Sequence, residues 1–193
     1  MKILRASTYK RMPWKNGGGE TVEIAVFPES ASLADFDWRV SMATVASDGP
    51  FSSFPGIDRT LSILQGNGMR LMIEGREPIV MTGETAPLPF PADVATSATL
   101  LDGPIVDLNV MTRRGRLAHT VRRLATDHPQ TVDGTAEATL ILCHGGAVRL
   151  AAAEEQADLA AGDTAILEGS AAVTIEPAAS AVGFVVTIDK PAA

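Results

Sequence analysis

The sequence has almost no cysteine and no long apolar run. Cys143 is the single cysteine of the 193 residues, which excludes an intramolecular disulfide, and its apolar neighbours predict a buried, unreactive thiol. No apolar stretch is long enough to cross a bilayer, and residues 1–15 carry scattered lysine and arginine instead of a signal-peptide core. These features fit a reducing compartment, so we expect a cytoplasmic protein that has no membrane partner.

Positive charge is also scarce. The chain has 16 lysines and arginines against 23 aspartates and glutamates, and its formal net charge is -7 at pH 7. Such a surface repels phosphate backbones, and the basic cluster in residues 113–123 has no aromatic side chain on which a base could stack. We therefore expect this cluster to be a solvated face, and we expect no nucleic-acid partner.

Histidine is rare and is confined to the second half of the chain. His119, His128 and His144 do not have the spacing of a metal-ligand set, so each is expected to be an ordinary satisfied side chain. Cys143 and His144 cannot act together as nucleophile and base, because adjacent strand residues point to opposite faces. We expect no metal and no other cofactor.

What the sequence does contain is a series of short alternating segments separated by Gly, Pro and Asp. This pattern is typical of an all-β sandwich or barrel. One or two helical turns are predicted only around residues 30–34. The predicted strands are residues 21–27, 38–45, 61–64, 69–74, 105–111, 138–143, 148–151, 164–167, 173–176 and 182–188.

An internal repeat is visible when Thr60–Ala86 is laid without gaps on Thr139–Ala165. Each copy reads as strand, glycine turn, strand, loop, and then a turn of glycine and an acidic residue that leads into another strand. We interpret the match as a duplication of one β unit. The identical pairs are Thr60 and Thr139, Leu61 and Leu140, Gly66 and Gly145, Arg70 and Arg149, Leu71 and Leu150, Gly83 and Gly162, Thr85 and Thr164, and Ala86 and Ala165.

Two short motifs link this unit to a known fold. Ile63-Leu64-Gln65-Gly66 ends a strand with Leu-x-Gly, and Gly162-Asp163 forms the later turn. In both respects the unit resembles the cupin pattern. The resemblance implies an all-β, double-stranded β-helix fold with two cupin-like barrels in one chain, a bicupin. We expect residues 1–115 to form the N-terminal barrel with the ligand pocket, and residues 116–193 to form a C-terminal barrel packed tightly on the first.

The cupin resemblance also bears on metal binding. Many cupins hold a first-row metal with histidines and a glutamate that lie just before the Leu-x-Gly strand. Residues 51–59, which occupy that place here, contain no histidine. A metal-free pocket is therefore expected.

Polar residues alternate with apolar ones along several predicted strands. Inside a small barrel, such a polar set can line a cavity, although the wet outer face of an antiparallel strand gives the same pattern. The mixture of donors and acceptors suits the orientation of a small ligand. The alternating residues are Thr21 and Glu23 in the first strand, Arg39 and Ser41 in the second, and Asp107, Asn109, Met111 and Arg113 in a third.

Arg59 is the first choice for an anchor of an acid group. It lies just before an apolar strand, and a guanidinium group pairs with a carboxylate through two hydrogen bonds. The alternative is a structural salt bridge with Asp58, Asp48 or Asp107. The glycine-rich segment 14–21 lacks the spacing of a phosphate-binding loop, so we expect it to allow close backbone approach, with Trp14 as a lid or packing anchor.

Four segments together resemble the HutD/Ves family. They are Trp14-Lys15-Asn16-Gly17-Gly18-Gly19-x-Thr21-x-Glu23-Ile24, Trp38-Arg39-Val40-Ser41, Asp48-Gly49-Pro50-Phe51-Ser52-x-Phe54-Pro55-Gly56-x-Asp58-Arg59 and Asp107-Leu108-Asn109-Val110-Met111-x-Arg113-Arg114.

The family resemblance implies a bicupin without the usual metal site. For the HutD branch it implies a link to bacterial histidine utilisation through binding of a pathway acid such as N-formylglutamate. The Ves branch is linked to stress response. The expected ligand-binding residues are Arg59, Arg39, Ser41, Asn109, Asp107, Arg113, Asn16, Trp14, Thr21, Glu23, Ser52 and Phe54.

The leading functional hypothesis is a non-catalytic protein that binds a small carboxylate metabolite and regulates flux in histidine breakdown. One alternative is a metal-independent isomerase or hydrolase, in which Glu23 or Asp107 acts as general base and Arg59 holds developing negative charge. Another is a stress-related interaction protein of the Ves type, with a homodimer formed through the second barrel. No catalytic residue is assigned.

Overall fold

The computed structural model describes residues 1–15, 17–124, 128–152, 155–167, 172–178 and 181–191. Within these residues the protein consists of short β-strands, a single 3-10 turn at Ala6–Thr8 and no α-helix. The strands are β1 (Lys2–Leu4), β2 (Lys10–Pro13), β3 (Gly19–Phe27), β4 (Trp38–Val45), β5 (Gly49–Pro50), β6 (Ile57–Gln65), β7 (Met69–Ile73), β8 (Ile79–Met81), β9 (Leu88–Pro91), β10 (Thr96–Leu100), β11 (Ile105–Arg113), β12 (Ala118–Arg123), β13 (Gln130–Val132), β14 (Ala138–Gly145), β15 (Ala147–Ala152), β16 (Glu155–Ala160), β17 (Thr164–Leu167), β18 (Val173–Pro177) and β19 (Val182–Asp189).

The prediction of helix around residues 30–34 is wrong. Two successive turns replace it, the first closed by the Ala31 N–H and the Pro28 carbonyl at 3.0 Å and the second by the Asp35 N–H and the Ser32 carbonyl at 3.2 Å. The Ser32 hydroxyl also donates to the Asp35 carboxylate at 2.6 Å. Local side-chain bonding of this kind competes with helix formation.

The chain divides into two compact units, Lys10–Ala118 (the first unit) and Met1–Tyr9 with His119–Ala193 (the second unit). The predicted N-terminal barrel, 1–115, includes residues 1–9, whereas these residues belong to the second unit of the structure. Strand β1 pairs with β17, so that Lys2 lies opposite Ile166. Asp163 strengthens this attachment, because its carboxylate accepts hydrogen bonds from the Arg5 guanidinium at 2.6 Å and from the Ala6 N–H at 3.0 Å.

The first unit has two antiparallel sheets. The large sheet has the strand order β2-β3-β4-β11-β6-β9, and the small sheet has the order β5-β10-β7-β8. Leu61 and Ile63 of the large sheet join Leu71 and Met81 of the small sheet in one buried apolar cluster. The interior of this unit therefore lies between the two sheets.

The second unit repeats the strand order of the first. Its sheets contain β17-β14-β19-β12, extended by β1, and β13-β18-β15-β16, which correspond to β9-β6-β11-β4 and β5-β10-β7-β8. The predicted repeat is thus present in three dimensions, with β6 and β7 matched by β14 and β15. Two copies of one antiparallel unit confirm the predicted two-barrel, all-β fold.

The second unit buries a mainly apolar cluster that includes Ile141, Leu150 and Ile175. Cys143 lies in this cluster, and burial raises the pKa of its thiol to about 11. The predicted burial of this thiol is confirmed, and its raised pKa disfavours the thiolate, which is the effective nucleophile. Nowhere in the described part of the chain is there a helix of the length and apolar character needed to cross a bilayer.

Close backbone contact makes Gly183 in β19 a sensitive position. A Cβ at Gly183 would lie against the Leu142 carbonyl oxygen and 2.5 Å from the Leu124 Cδ1. We expect Gly183→Ala to lower the free energy of unfolding by ~1–3 kcal/mol, measured by urea denaturation. Gly49→Ala is the control, because nothing lies within 4 Å of its added methyl group. Equal losses in the two variants would contradict this packing.

Candidate functional site

The register of three central strands places several polar side chains on one face of the large sheet. Met111 of β11 lies opposite both Arg39 of β4 and Arg59 of β6. Asp107, four positions earlier on the same strand, lies opposite Ala43. Since directly opposed residues share a face and alternate residues return to it, Arg39, Arg59 and Asp107 point to the same side of the sheet.

That side is the interior of the first unit. Ala43 and Ile63, the cross-strand neighbours of Asp107, belong to the apolar cluster between the sheets. The alternative interpretation, a wet outer face, is therefore wrong for these positions. All the central polar residues are buried, with exposed fractions of 4% for Arg59, 5% for Arg39, 2% for Ser41, 1% for Asp107 and 8% for Asn109.

Two β-bulges lie beside the polar residues. In β3 the register shifts between Glu23 and Ala25, and in β11 it shifts between Val106 and Asp107. A bulge redirects the side chains next to it and is common beside functional sites. The bulge in β3 keeps Glu23 opposite Ser41, and the register shift between β11 and β6 places Asp107 opposite Ile63, so both carboxylates lie on the inner face.

Arg39 and Glu23 form a buried ion pair. The Arg39 Nε donates to the Glu23 Oε2 at 2.7 Å, and its Nη1 donates to the Ser41 hydroxyl at 3.3 Å. The predicted residues Arg39, Ser41 and Glu23 are thus brought together. Their charges balance, which is the usual condition for ions away from water.

Asp107 is a buried carboxyl with a hydrogen bond but no ion pair among the described residues. Its Oδ1 accepts a hydrogen bond from the Asn109 Nδ2. Burial raises the pKa of Asp107 to about 7, against the opposing effects of the Arg59 charge and the Asn109 hydrogen bond. This carboxyl group therefore changes charge near neutral pH.

Arg59 lies in a box of aromatic rings. Its Cζ is 5.3 Å from the ring centroid of Phe51, 5.4 Å from that of Phe54 and 5.8 Å from that of Phe90. These distances are in the range of cation–π attraction. Burial lowers the pKa of Arg59 to about 10, so the side chain is still a cation at neutral pH.

The hydrogen bonds of Arg59 are incomplete. Its Nη2 donates to the Ser52 carbonyl at 3.3 Å, while its Nε is buried without a partner. The alternative of a structural salt bridge does not hold, because Asp58 pairs instead with Arg114 at 2.8 Å and Asp48 accepts the Leu100 N–H at 2.8 Å. With Asp107 the structure shows a charge attraction but no ion pair. The guanidinium therefore keeps unused capacity for an acceptor.

A salt-bridge network fixes the loop that carries Phe51 and Phe54. Arg114 contacts Asp58 at 2.8 Å and Asp93 at 3.0 Å, and the Asp93 carboxylate accepts the Gly56 N–H at 3.1 Å. The Arg114 hydrogen bond lowers the pKa of Asp93 to about 2, so this carboxylate is charged at all ordinary pH values. The loop is thereby held to the end of β11.

The structure does not bring Arg113 to the other predicted residues. Its Nε and Nη2 donate to the Phe36 carbonyl, at 3.1 and 2.8 Å, and Nη2 also donates to the Ala34 carbonyl at 3.1 Å. The long side chain extends past the end of β11, where these carbonyls accept its hydrogen bonds. These contacts give Arg113 a structural role at the end of β11, and the prediction that it also faces the ligand stays a prediction.

Trp14 and Thr21 contact each other. The Trp14 Nε1 donates to the Thr21 hydroxyl at 2.8 Å, and the ring packs on the apolar cluster of the first unit. Gly19 allows this, because a Cβ there would meet the Thr44 carbonyl and lie 3.1 Å from the Trp14 ring. Trp14 is thus a packing anchor, and the expected close backbone approach is observed. Asn16 lies outside the described residues.

Two of the three aromatic residues around Arg59 were not predicted as site residues. Phe90 lies opposite Arg59 in the pairing of β6 with β9, and Phe51 follows the short strand β5. The spacing of Phe51 and Phe54 in one loop is a signal for an aromatic enclosure. Phe90, however, lies between two prolines in a segment with no strand pattern. Ser52, by contrast, contributes its backbone carbonyl instead of its side chain.

The donor set does not fit the metal that many cupins carry. Arg59 places among the polar residues a positive charge that has no ion-pair partner in the part of the chain that the structure describes, and this charge repels a cation. Within the described ranges, no three His, Cys, Asp or Glu side chains are grouped as ligands. The polar residues instead suit a small anion.

Solved structures of low sequence identity identify the fold class. An oxalate decarboxylase of Bacillus subtilis superimposes with a TM-score of 0.68 at 10% identity, over 100% of this chain and 78% of that one. The protein YlbA of Escherichia coli gives a TM-score of 0.70 at 9% identity, over 99% and 91% of the two chains. The fold is that of a cupin with two barrels.

The chain belongs to the HutD family, whose sequence profile matches residues 6–185. A conserved protein of unknown function from Pseudomonas aeruginosa superimposes with a TM-score of 0.90 at 34% identity, over 97% of this chain and 98% of that one. HutD from Pseudomonas fluorescens gives a TM-score of 0.84 at 29% identity, over 99% of both chains. The resemblance to HutD/Ves proteins is confirmed.

Curated relatives match part of the chain. Protein Ves of Citrobacter koseri is 42% identical over 118 residues, which cover 58% of this chain and 60% of the relative. An uncharacterised protein of the hutC 3' region in Pseudomonas putida is 41% identical over 113 residues, covering 58% of this chain and 57% of the relative. These matches span less than two thirds of the relatives' lengths. They link the family to the histidine-utilisation locus.

The raised pKa of Asp107 makes stability depend on pH. Its pKa is about 7 in the folded protein, above the value of about 4 in an unfolded chain, so its contribution is complete below about pH 4 and is lost as the pH rises through about 7. Asp107→Asn removes the titrating carboxyl group, so the variant does not lose this stability as the pH rises. We expect the variant to gain unfolding free energy relative to the parent by up to about 1.4 kcal/mol per pH unit in this interval, measured by urea denaturation.

The control for this measurement is Asp102→Asn. Asp102 is exposed and accepts a hydrogen bond from the Asn67 side chain at 3.1 Å. Its difference from the parent protein should stay constant over the same interval. A constant difference for Asp107→Asn as well would contradict the raised pKa.

Proposed function

We propose that this protein binds a small carboxylate metabolite in its first unit without catalysing a reaction, and that it regulates flux in histidine breakdown. The observation that carries the proposal is Arg59, a buried cation in a phenylalanine box whose Nε has no partner. A charge that is buried without a counter-ion destabilises the folded protein. A bound carboxylate would supply both the missing charge and the missing acceptor.

The chemistry of the guanidinium favours a carboxylate over other anions of similar size. Its planar fork matches two carboxylate oxygens, and the surrounding rings keep water away from the pair. The buried interior provides a low dielectric, in which a charge-assisted hydrogen bond is strong. One acid group of the ligand is therefore assigned to Arg59.

Further polar groups on the same inner face would hold the rest of the ligand. Asn109 and Ser41 offer an amide and a hydroxyl, and Asp107 offers a carboxyl group beside them. An N-acyl dicarboxylate such as N-formylglutamate has the oxygens and the N–H to use such partners. The hutC neighbourhood of the Pseudomonas putida relative supports a ligand from histidine breakdown.

Isothermal titration calorimetry with N-formyl-L-glutamate tests the proposal. We expect Arg59→Ala to weaken binding by about 2 kcal/mol or more, which corresponds to roughly 30-fold in Kd. The matched control is Arg11→Ala, because Arg11 is an exposed arginine of the same unit that pairs with Glu20 at 2.8 Å. The control should bind like the parent protein.

Stability separates a ligand-binding arginine from a structural one. Arg59→Met keeps the apolar length of the side chain and removes an unsatisfied donor, so we expect a thermal midpoint at least equal to that of the parent protein. A large loss of stability would assign Arg59 to the fold. Tight binding that is unchanged in Arg59→Ala would remove the proposed anchor.

A second candidate is a metal-independent enzyme that acts on a small acid. The observation in its favour is Asp107, a buried carboxyl group with a pKa of about 7, which suits a general acid or base at neutral pH. Glu23 is less suited to this role, because it is already paired with Arg39. Incubation of N-formyl-L-glutamate with the protein, followed by proton NMR, distinguishes the two: turnover that is lost in Asp107→Asn would establish the enzyme.

A further inference from the structure

We propose that a carboxylate bound at Arg59 selects the protonated form of Asp107, so that each molecule captured takes up a proton from the buffer. This inference rests on the proposed binding function and specifies how the same site is regulated. It follows from the way in which the buried charges of the first unit are partnered. Ligand affinity would then change with pH although the ligand carboxylates stay ionised.

The buried charges fall into two groups. Arg39 and Glu23 neutralise each other across 2.7 Å. Arg59 and Asp107 are left, and neither has an ion-pair partner among the described residues. Without ligand, the positive charge of Arg59 favours the ionised form of Asp107 and so lowers its pKa. Arg59 and Asp107 therefore interact electrostatically without forming an ion pair.

The surroundings of Asp107 contain few other titratable groups. The neighbouring strands contribute Glu23 from β3, Arg39 from β4 and Arg59 from β6 to the inner face. Its own strand contributes the uncharged Asn109. The small sheet faces the same interior with apolar residues, which include Leu71, Ile73, Met81 and Ala98.

Binding of an anion at Arg59 changes the balance at Asp107 in two ways. The anion neutralises the charge that stabilised the ionised Asp107, and it adds a negative charge to the same buried space. Both changes favour the neutral acid. Once protonated, Asp107 has an O–H that can donate to a ligand oxygen, whereas the ionised form could only repel it.

The sign of the pH effect follows from the pKa of about 7 in the ligand-free protein. Below this value Asp107 already carries its proton, so binding takes up none and affinity is constant. Above it Asp107 must be protonated on binding, so affinity falls with rising pH by up to about tenfold per unit. The fall ends at the higher pKa of the complex.

Calorimetry in two buffers measures the proton directly. N-formyl-L-glutamate is titrated into the full chain at about pH 8, in HEPES and in Tris, whose ionisation enthalpies differ. We expect the observed binding enthalpy to differ between the buffers by the amount that roughly one proton per bound ligand requires, and the dissociation constant to rise between about pH 7 and about pH 9. At about pH 6, two buffers that titrate there and differ in ionisation enthalpy should give equal binding enthalpies.

Asp107→Asn identifies the group that takes up the proton. The amide keeps an acceptor for Asn109 but cannot titrate, so we expect buffer-independent enthalpies and a dissociation constant that stays level above about pH 7. Asp102→Asn, an exposed change in the same unit, should retain the proton uptake of the parent protein. Uptake that persists in Asp107→Asn would assign the proton to another group and overturn the proposal.

The measurements on the parent protein decide the question even if Asp107→Asn does not fold. Binding at about pH 8 with the same enthalpy in both buffers would overturn the proton coupling and leave the binding function intact. Absence of binding at every pH would overturn the proposed function, and the coupling with it. The two failures are therefore distinguishable.

Discussion

A charge in the interior of the first unit has little water to stabilise it, so its energy is set by the protein groups around it. Glu23 neutralises the charge of Arg39, and Asn109 donates a hydrogen bond to Asp107 in place of water. Arg59 is stabilised only in part, by aromatic faces, a single carbonyl and the charge of Asp107, with which it forms no ion pair. The protonation of Asp107 therefore depends on how completely each of these buried charges is paired.

The antiparallel register of β3, β4, β11 and β6 is what keeps these charges inside. A slip of one residue in any of these pairings would turn the polar set to the opposite face and bring its neighbours inward. The bulges beside Glu23 and Asp107 adjust the register where the carboxylates lie. The apolar contacts of Leu61 and Ile63 with the small sheet oppose such a slip.

The sequence pattern predicts the central strands and misses those at the edges. β4 is predicted with its observed bounds, because its alternation is strong and its neighbours hold both sides. The unpredicted strands β1, β2, β5, β8, β9, β12, β13 and β16 all lie at sheet edges. Edge strands are short, charged or broken by proline, as Pro89 and Pro91 show in β9, and so carry little periodic signal. β10 is central but has the weakly patterned residues Ser97, Ala98 and Thr99.

The difference between central and edge strands also explains which site residues the sequence predicts. Arg39, Ser41, Asp107 and Asn109 lie on central strands, where period-two alternation identifies the buried face. Arg113 obeys the same alternation, but its side chain reaches beyond the end of β11 to the Phe36 carbonyl. The backbone register fixes where a Cα lies, whereas a long terminal side chain follows whichever acceptors are near. Phe90 comes to Arg59 only through the pairing with the edge strand β9.

The attachment of β1 to β17 also orders events during synthesis. The strands of Lys10–Ala118 follow one another in a single segment, so they leave the ribosome before the later strands do. The N-terminal strand has no partner until Thr164–Leu167 has emerged. Strand β1 therefore enters its sheet late although it precedes the whole first unit in sequence, and the second unit is complete only when β1 and β17 are both available.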